Sequence, residues 1–346
     1  MIKSKTAVLL KQKKIENLDL ILQKPGENQL LVKNIYSGLC HTQLNEIDGK
    51  LGIDKYLPHC FGHEGIAKVV EAGKNVKKIK KNDLICVSWV KNSNKDGGGA
   101  VYINKKNAKK INAGPANTFG EYSIISQNRA YTLSKKNKYL LESVVLGCAI
   151  PTAFNAIFNV IKPKKKDKIL IIGMGGLGLS CLIGLNHLKC EKIYCLDNNK
   201  SKLLFNKHVK SIPIFFKNKK EEKKFLNNNL DTFDHVINCT GSSHIISNYL
   251  SLVKSLGGKF VMIGNTKKNH VSKIKSWDII MGKNLCGAWM SREPFDDNFK
   301  KFEKIFLKNI KIIKKTLKLK IYNLKNINQA INDFRDGKII RAIIKY

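Results

Sequence analysis

The sequence predicts an α/β fold in two parts, a β-rich domain followed by a doubly wound parallel sheet, and three observations carry that expectation. Residues 1–148 read as short strands separated by Gly, Pro, Asn and Lys turns. From 149 to 289 apolar runs alternate with lysine-rich amphipathic segments, as strands and helices alternate in a parallel sheet. The first of those runs ends in Gly173-Met174-Gly175-Gly176-Leu177-Gly178, a glycine turn between a strand and a helix.

In the first part, residues 7–10, 29–36, 65–72, 83–89 and 121–126 are the clearest strands, being rich in β-branched or aromatic residues with turn signals at both ends. Residues 91–118 are the least regular and read as a long functional or disordered loop. A helical stretch is expected over 141–160. Strands at 168–172, 192–196, 234–239 and 259–263 then alternate with helices over 177–188, 201–209 and 244–256. The alternation stops near Gly287. Residues 290–346 carry helical patterns at 297–307 and 324–333 and a last strand at 339–344, and are expected to pack back on the first domain. The expected division is therefore 1–148, 149–289 and 290–346.

Composition narrows the function classes. With 43% hydrophobic residues and only 7 prolines in 346 residues, the chain is long and apolar enough for two packed domains. A net charge of +37 would suit a nucleic-acid or anionic-membrane partner. Only four of the 63 basic residues are arginine, however: Arg129, Arg292, Arg335 and Arg341. A surface built to grip phosphates bidentately would use more of it. Nine cysteines, an odd number without regular spacing, fit free thiols in a reducing cytoplasm. Neither the short apolar run at 7–10 nor the uncharged stretch 169–185, with its glycines and strand-turn-helix pattern, reads as a membrane span.

The glycine turn has the chemistry of a dinucleotide site. Gly173 permits the tight turn, Gly175 lets the backbone approach a pyrophosphate, and Gly178 lets the helix lie close to the sheet; Gly176 and Leu177 bring the helix N-terminus to the phosphates. Asp197 follows Gly178 by 19 residues at the end of the next apolar strand. A carboxylate there accepts both ribose hydroxyls and repels a 2′-phosphate, which favours NAD over NADP. Lys200 and Lys202, just beyond, are either solvated or near the ribose.

A second constellation consists of Cys40-His41-Thr42, Gly62-His63-Glu64 and Gly147-Cys148. Two thiolates and an imidazole are ligand types that zinc prefers, and three protein ligands leave a fourth position for substrate. Glu64 is placed to orient His63 or to serve as an exchangeable ligand. His59 and Cys60 are competitors for the ion, although Pro58 and the glycines around them make a helix that would align His59 with His63 improbable.

Taken together, the GLCHT, GHEG, LGCAIPTAFNAI and GMGGLG segments with the trailing Asp197 resemble the zinc-dependent alcohol dehydrogenases of the medium-chain dehydrogenase/reductase superfamily, over essentially the whole chain. The resemblance implies a GroES-like β-rich catalytic domain, a Rossmann coenzyme domain and an active site in the cleft between them. It places zinc on Cys40, His63 and Cys148 with Glu64 alongside, a proton-relaying hydroxyl at Thr42, His41 and Arg341 near the pyrophosphate, and Lys202 beside the ribose. Two departures matter. No cysteine lies between Cys86 and Cys148, where typical members carry a four-cysteine structural zinc, so one zinc per chain is expected. Asn45 stands where the relay often ends on histidine, and asparagine does not titrate.

The implied function is zinc-assisted hydride transfer between an alcohol, or its aldehyde or ketone, and NAD, in a cytoplasmic homodimer or homotetramer. A polyol or sugar-derivative dehydrogenase of the same superfamily is the alternative. Outside that class stand a catalytically silent Rossmann binder and a basic nucleic-acid-binding protein.

Overall fold

Strands Ile2–Lys11 and Lys14–Leu22 pair antiparallel from the first residues of the chain in a computed structural model, which describes residues 1–290 and 295–346. The chain divides into two units. One comprises Met1–Cys148, Arg292–Leu307 and Lys318–Tyr346; the other comprises Ala149–Ser291 and Lys308–Leu317.

In the first unit, that hairpin joins Ala100–Asn104, Lys110–Ala113 and His59–Cys60 in a closed barrel. The residues 91–118, expected to be a long loop, therefore contain a hairpin that closes the barrel. Its sequence hides the strands because they are short: the first exposes an apolar Val101, and only the second alternates outward Lys110 and Asn112 with inward Ile111 and Ala113. The inward positions Tyr102, Ile111 and Ala113 pack with Val8, Leu20, Leu22 and Ile124. The larger sheet runs Ala130–Thr132, Leu84–Val87, Gly65–Ala72, Gln29–Gly38, Arg341–Lys345, Leu319–Asn323, with Tyr122–Ser126 also paired to Gln29–Gly38. The C-terminal strand thus lies against Gln29–Gly38, in the register Ile343↔Gly38. A core of Ala7, Leu9, Phe61, Phe119, Ile327, Ile331, Phe334 and Ile344 holds this return in place, driven by burial of its apolar faces.

The second unit is a six-stranded sheet in the order Ile212–Ile214, Lys192–Leu196, Lys168–Ile172, His235–Asn238, Lys259–Met262, Asn284–Gly287, with every neighbouring pair parallel. In chain order the strands are arranged 3-2-1-4-5-6, the doubly wound pattern in which ligands bind at the carboxyl end of the first strand. Helix Gly176–His187 is buried over most of its length, which is why its sequence is apolar on all sides. The expected helix over 141–160 is broken. Leu140–Ser143 and the 3₁₀ turn Val144–Gly147 end at Cys148, whose φ of −147° is not helical, before Ala149–Asn155 and a π-helical turn Ala156–Ile161 resume. The stretch 201–209 is a 3₁₀ segment, Lys200–Lys207, rather than an α-helix.

Candidate functional site

Three different interruptions in regular structure within the first unit carry the two thiols and the imidazole. Cys40 sits between strand Gln29–Gly38 and helix His41–Ile47, His63 between His59–Cys60 and Gly65–Ala72, and Cys148 at the helix break. Their ligand atoms all lie within 4.8 Å of one another, with the Cys40 and Cys148 sulfurs 3.7 Å apart. Gln43, buried on the first turn after Cys40, accepts the Cys40 N–H at 2.8 Å through Oε1 and holds His63 by Nδ1 through its amide nitrogen. His63 Nε2 is then left buried beside the sulfurs without a hydrogen-bond partner. A buried ring nitrogen without such a partner, next to two thiols, is the donor set of a divalent ion, so zinc fits these residues.

The electrostatics agree. The Cys148 thiol, hydrogen-bonding to Cys40, holds the Cys40 thiol well below its ordinary range, while the same contact and burial push Cys148 well above its own. Burial disfavours a charged His63, yet contact with Cys40 and the acids nearby push its proton affinity up.

Around it the backbone is tightly drawn. Ser88 donates to the Gly147 carbonyl at 2.7 Å, which anchors the turn before Cys148. A Cβ on Gly147 would come within 2.7 Å of the Glu64 Cβ, and one on Gly38 within 2.3 Å of Glu64 Oε1. Glu64 is fully buried and pairs with Arg341 through both carboxylate oxygens. Arg341, expected near the coenzyme pyrophosphate, is itself almost fully buried, and its Nε has no partner. His41 is exposed with its ring against Phe334, and the Thr42 hydroxyl lies 3.7 Å from the Cys40 sulfur. Asn45 is half-buried on the same helix. Cys60 packs in the barrel interior, and His59 belongs to a separate group with Glu46 and Asp54.

In the second unit, Gly173 has φ +90°, a conformation that L side chains rarely adopt, and a Cβ on Gly178 would lie 2.0 Å from the Gly173 carbonyl oxygen. A Cβ on Gly175 would meet nothing within 4 Å, so the loop opens onto free space where a phosphate needs it. Gly176 is buried and Leu177 half-buried at the start of the helix. Asp197 accepts the Met174 N–H at 2.7 Å on one oxygen and the Asn199 N–H at 2.8 Å on the other. Lys202 is half-buried on the 3₁₀ segment beyond it. These residues fit a dinucleotide.

Sequence reasoning missed Gln43, Ser88 and the Glu64–Arg341 pair. Only Gln43 left a trace, its place three residues after the residue that precedes a helix.

Comparison with known proteins bears on both sites. Residues 26–135 match the family model described as the alcohol dehydrogenase GroES-like domain. The chain is 23% identical over 364 residues to an S-(hydroxymethyl)glutathione dehydrogenase of Photobacterium damsela subsp. piscicida, covering 96% of each. Benzyl alcohol dehydrogenase from Acinetobacter calcoaceticus superposes with a TM-score of 0.82 at 22% identity, covering 100% of this chain and 99% of that one. A solved structure from Sinorhizobium meliloti 1021 that holds NADP superposes with a TM-score of 0.77 at 18% identity, covering 100% of both chains.

Proposed function

We propose that the chain is a zinc-type alcohol dehydrogenase of the medium-chain superfamily, an oxidoreductase acting on small-molecule alcohols or aldehydes as its likeness to such enzymes supports, and that it uses NAD and one catalytic zinc held by Cys40, His63 and Cys148. The observation that carries this reading is the His63 Nε2, buried without a hydrogen-bond partner within 4.8 Å of two sulfurs.

When bound, zinc stabilises negative charge developing on the alcohol oxygen, and the nicotinamide takes up the hydride from the adjacent carbon. The chain's own groups do the rest. Gln43 fixes the ring of His63. Thr42 accepts the alcohol proton at its hydroxyl and passes its own proton on; Asn45 cannot titrate, so that proton leaves through water or another residue. Glu64 and Arg341 brace one another beside the ligands, and in this reading His41 and Arg341 serve the coenzyme phosphates, as the family resemblance implies. Asp197 receives the ribose hydroxyls on the lone pairs its backbone partners leave free, with Lys202 alongside. Gly173, Gly175, Gly176, Leu177 and Gly178 receive the pyrophosphate at the helix N-terminus.

No cysteine lies between Cys86 and Cys148, so this reading includes no cysteine-bound structural zinc. Nine cysteines outside any disulfide support a cytoplasmic location. The edge strand Asn284–Gly287, with exposed Trp277, Ile280, Leu285 and Trp289 around it, supports self-association, as a dimer or a dimer of dimers.

The test combines metal analysis with an NAD-linked screen of simple alcohols, polyols, sugar derivatives and S-(hydroxymethyl)glutathione. Cys40→Ala and His63→Ala are expected to lose turnover and tightly bound zinc together. Stoichiometric zinc in both variants would remove the ligand assignment, and an unmodified chain inert toward the whole panel while binding dinucleotide would favour a silent binder.

A further inference from the structure

The group set apart from the thiols, Glu46, Asp54 and His59, has the construction of a metal site in its own right. Its three donor atoms come from three elements: Glu46 from helix His41–Ile47, Asp54 from the link that follows, His59 from strand His59–Cys60. All three lie within 4.8 Å of one another. His59 Nε2 is 2.8 Å from Asp54 Oδ2 and 3.6 Å from Glu46 Oε1.

We propose that Glu46 Oε1, Asp54 Oδ2 and His59 Nε2 form a second, exchangeable site for a divalent first-row transition-metal ion, independent of the thiolate site and of the dehydrogenase reading.

Two supports outside the donor set point the same way. His59 Nδ1 lies 2.9 Å from the Cys60 carbonyl oxygen. A carbonyl only accepts, so Nδ1 carries the proton and Nε2 is turned to the carboxylates. Asp54 Oδ1 accepts the Tyr56 N–H at 2.9 Å, which aims Oδ2 at the same point. An imidazole whose far N–H is tied to a backbone carbonyl, and a carboxylate whose far oxygen is tied to a backbone N–H, are the outer contacts that orient metal ligands. Here both stand in place.

Charge argues against a simple ion pair. Among the described residues neither carboxylate pairs with a lysine or arginine, although the chain holds 63 of them. A protonated His59 would cancel one of the two negative charges and leave the other in a largely enclosed pocket. The cost of that enclosure is visible at Glu46, whose carboxyl burial pushes up despite the nearby imidazoles. A divalent ion satisfies both carboxylates and the ring at once. Ligands about 2.1 Å from a tetrahedral ion stand about 3.4 Å apart, a spacing between the 2.8 Å and 3.6 Å at which His59 Nε2 already meets the two carboxylates. One imidazole and two oxygens suit zinc, manganese or cobalt, with open positions for water. Asp54 and Glu46 keep 22% and 29% of their side chains exposed, so an ion has a way in and out.

The experiment uses the full chain with its thiolate site loaded. Zn²⁺ uptake is followed by equilibrium dialysis and mass spectrometry, and Co²⁺ uptake by visible absorption, in the unmodified chain, His59→Gln and Glu46→Gln. The unmodified chain should take up one further ion, and Co²⁺ there should add ligand-field bands without the sulfur-to-cobalt charge-transfer band of a thiolate site. Glu46→Gln should weaken that uptake about tenfold or more, and His59→Gln should abolish it. Equal uptake by all three chains, or no uptake beyond the thiolate site in the unmodified chain, would reduce the group to an imidazolium–carboxylate pair and overturn the proposal. Should His59→Gln fail to fold, as judged by circular dichroism, Glu46→Gln on its part-exposed helix decides the matter.

Discussion

Asp197 is held still by its own chain before any ligand arrives: Met174 and Asn199 each donate a backbone N–H to one of its oxygens. The first contact ties the carboxylate to the glycine loop, so the proposed ribose acceptor is positioned from the proposed phosphate cradle itself. Each oxygen keeps a lone pair for a ribose hydroxyl. Charge-assisted hydrogen bonds are worth about 1.5–3 kcal/mol each, so Asp197→Ala should lower kcat/KM for NAD about 10–100-fold while improving relative use of NADP. Preference for NADP in the unmodified chain would overturn the coenzyme reading. Gln43→Leu should likewise weaken zinc binding about 10–100-fold, measured by competition with a chelating dye, because His63 loses the contact that sets its ring. Unchanged affinity would show that packing alone orients His63. The difference in legibility between these residues is physical. Cys40, His63, Cys148 and Asp197 belong to residue types and local contexts whose chemistry is written along the chain. An amide such as Gln43, or a hydroxyl such as Ser88, is functional only through what the fold places opposite it.

Elements were legible where burial imposes a pattern. The strands Lys168–Ile172 and Lys192–Leu196 have runs of apolar residues because both faces of a parallel sheet are covered. The hairpin Ala100–Asn104 and Lys110–Ala113 was not legible, since one wall of a small barrel needs only a few inward side chains, and its other face mixes the apolar Val101 with Lys110 and Asn112. The break at Cys148 was hidden too. Apolar residues flank it on both sides, and only the tertiary fold determines that the chain leaves helical geometry at that residue. The last strand of the second unit's sheet, Asn284–Gly287, has one unpaired edge, and Leu285, Trp277, Ile280 and Trp289 are exposed around it. An uncovered apolar edge is a pairing surface. The chain should therefore behave as a dimer or larger in light scattering at micromolar concentration, and Leu285→Lys should shift it toward monomer. A monomeric unmodified chain would remove the self-association proposal.

At the scale of the whole molecule the dominant quantity is a net charge of +37. Its distribution decides its meaning. The lysines recur along the entire sequence rather than in one run, and many ion pairs are exposed ones such as Lys14–Glu16 and Lys74–Glu27. Exposed pairs of this kind contribute about 0–1 kcal/mol, so they neither build the fold nor define a binding face. Lysine is a strongly hydrated point charge without the planar fork that reads phosphate or guanine. Such a surface attracts polyanions by counterion release alone. Association with nucleic acid should then be measurable near 50 mM salt by fluorescence anisotropy, equal for unrelated sequences, and weakened about a thousandfold or more by 200 mM salt. Dinucleotide binding, assigned in the proposed reading to a shaped loop and Asp197, should survive the same change of salt with a much smaller loss. If a particular sequence were instead bound tightly at 200 mM salt, the charge would have to be read as a functional surface, and the basic nucleic-acid-binding alternative would regain its place beside the dehydrogenase.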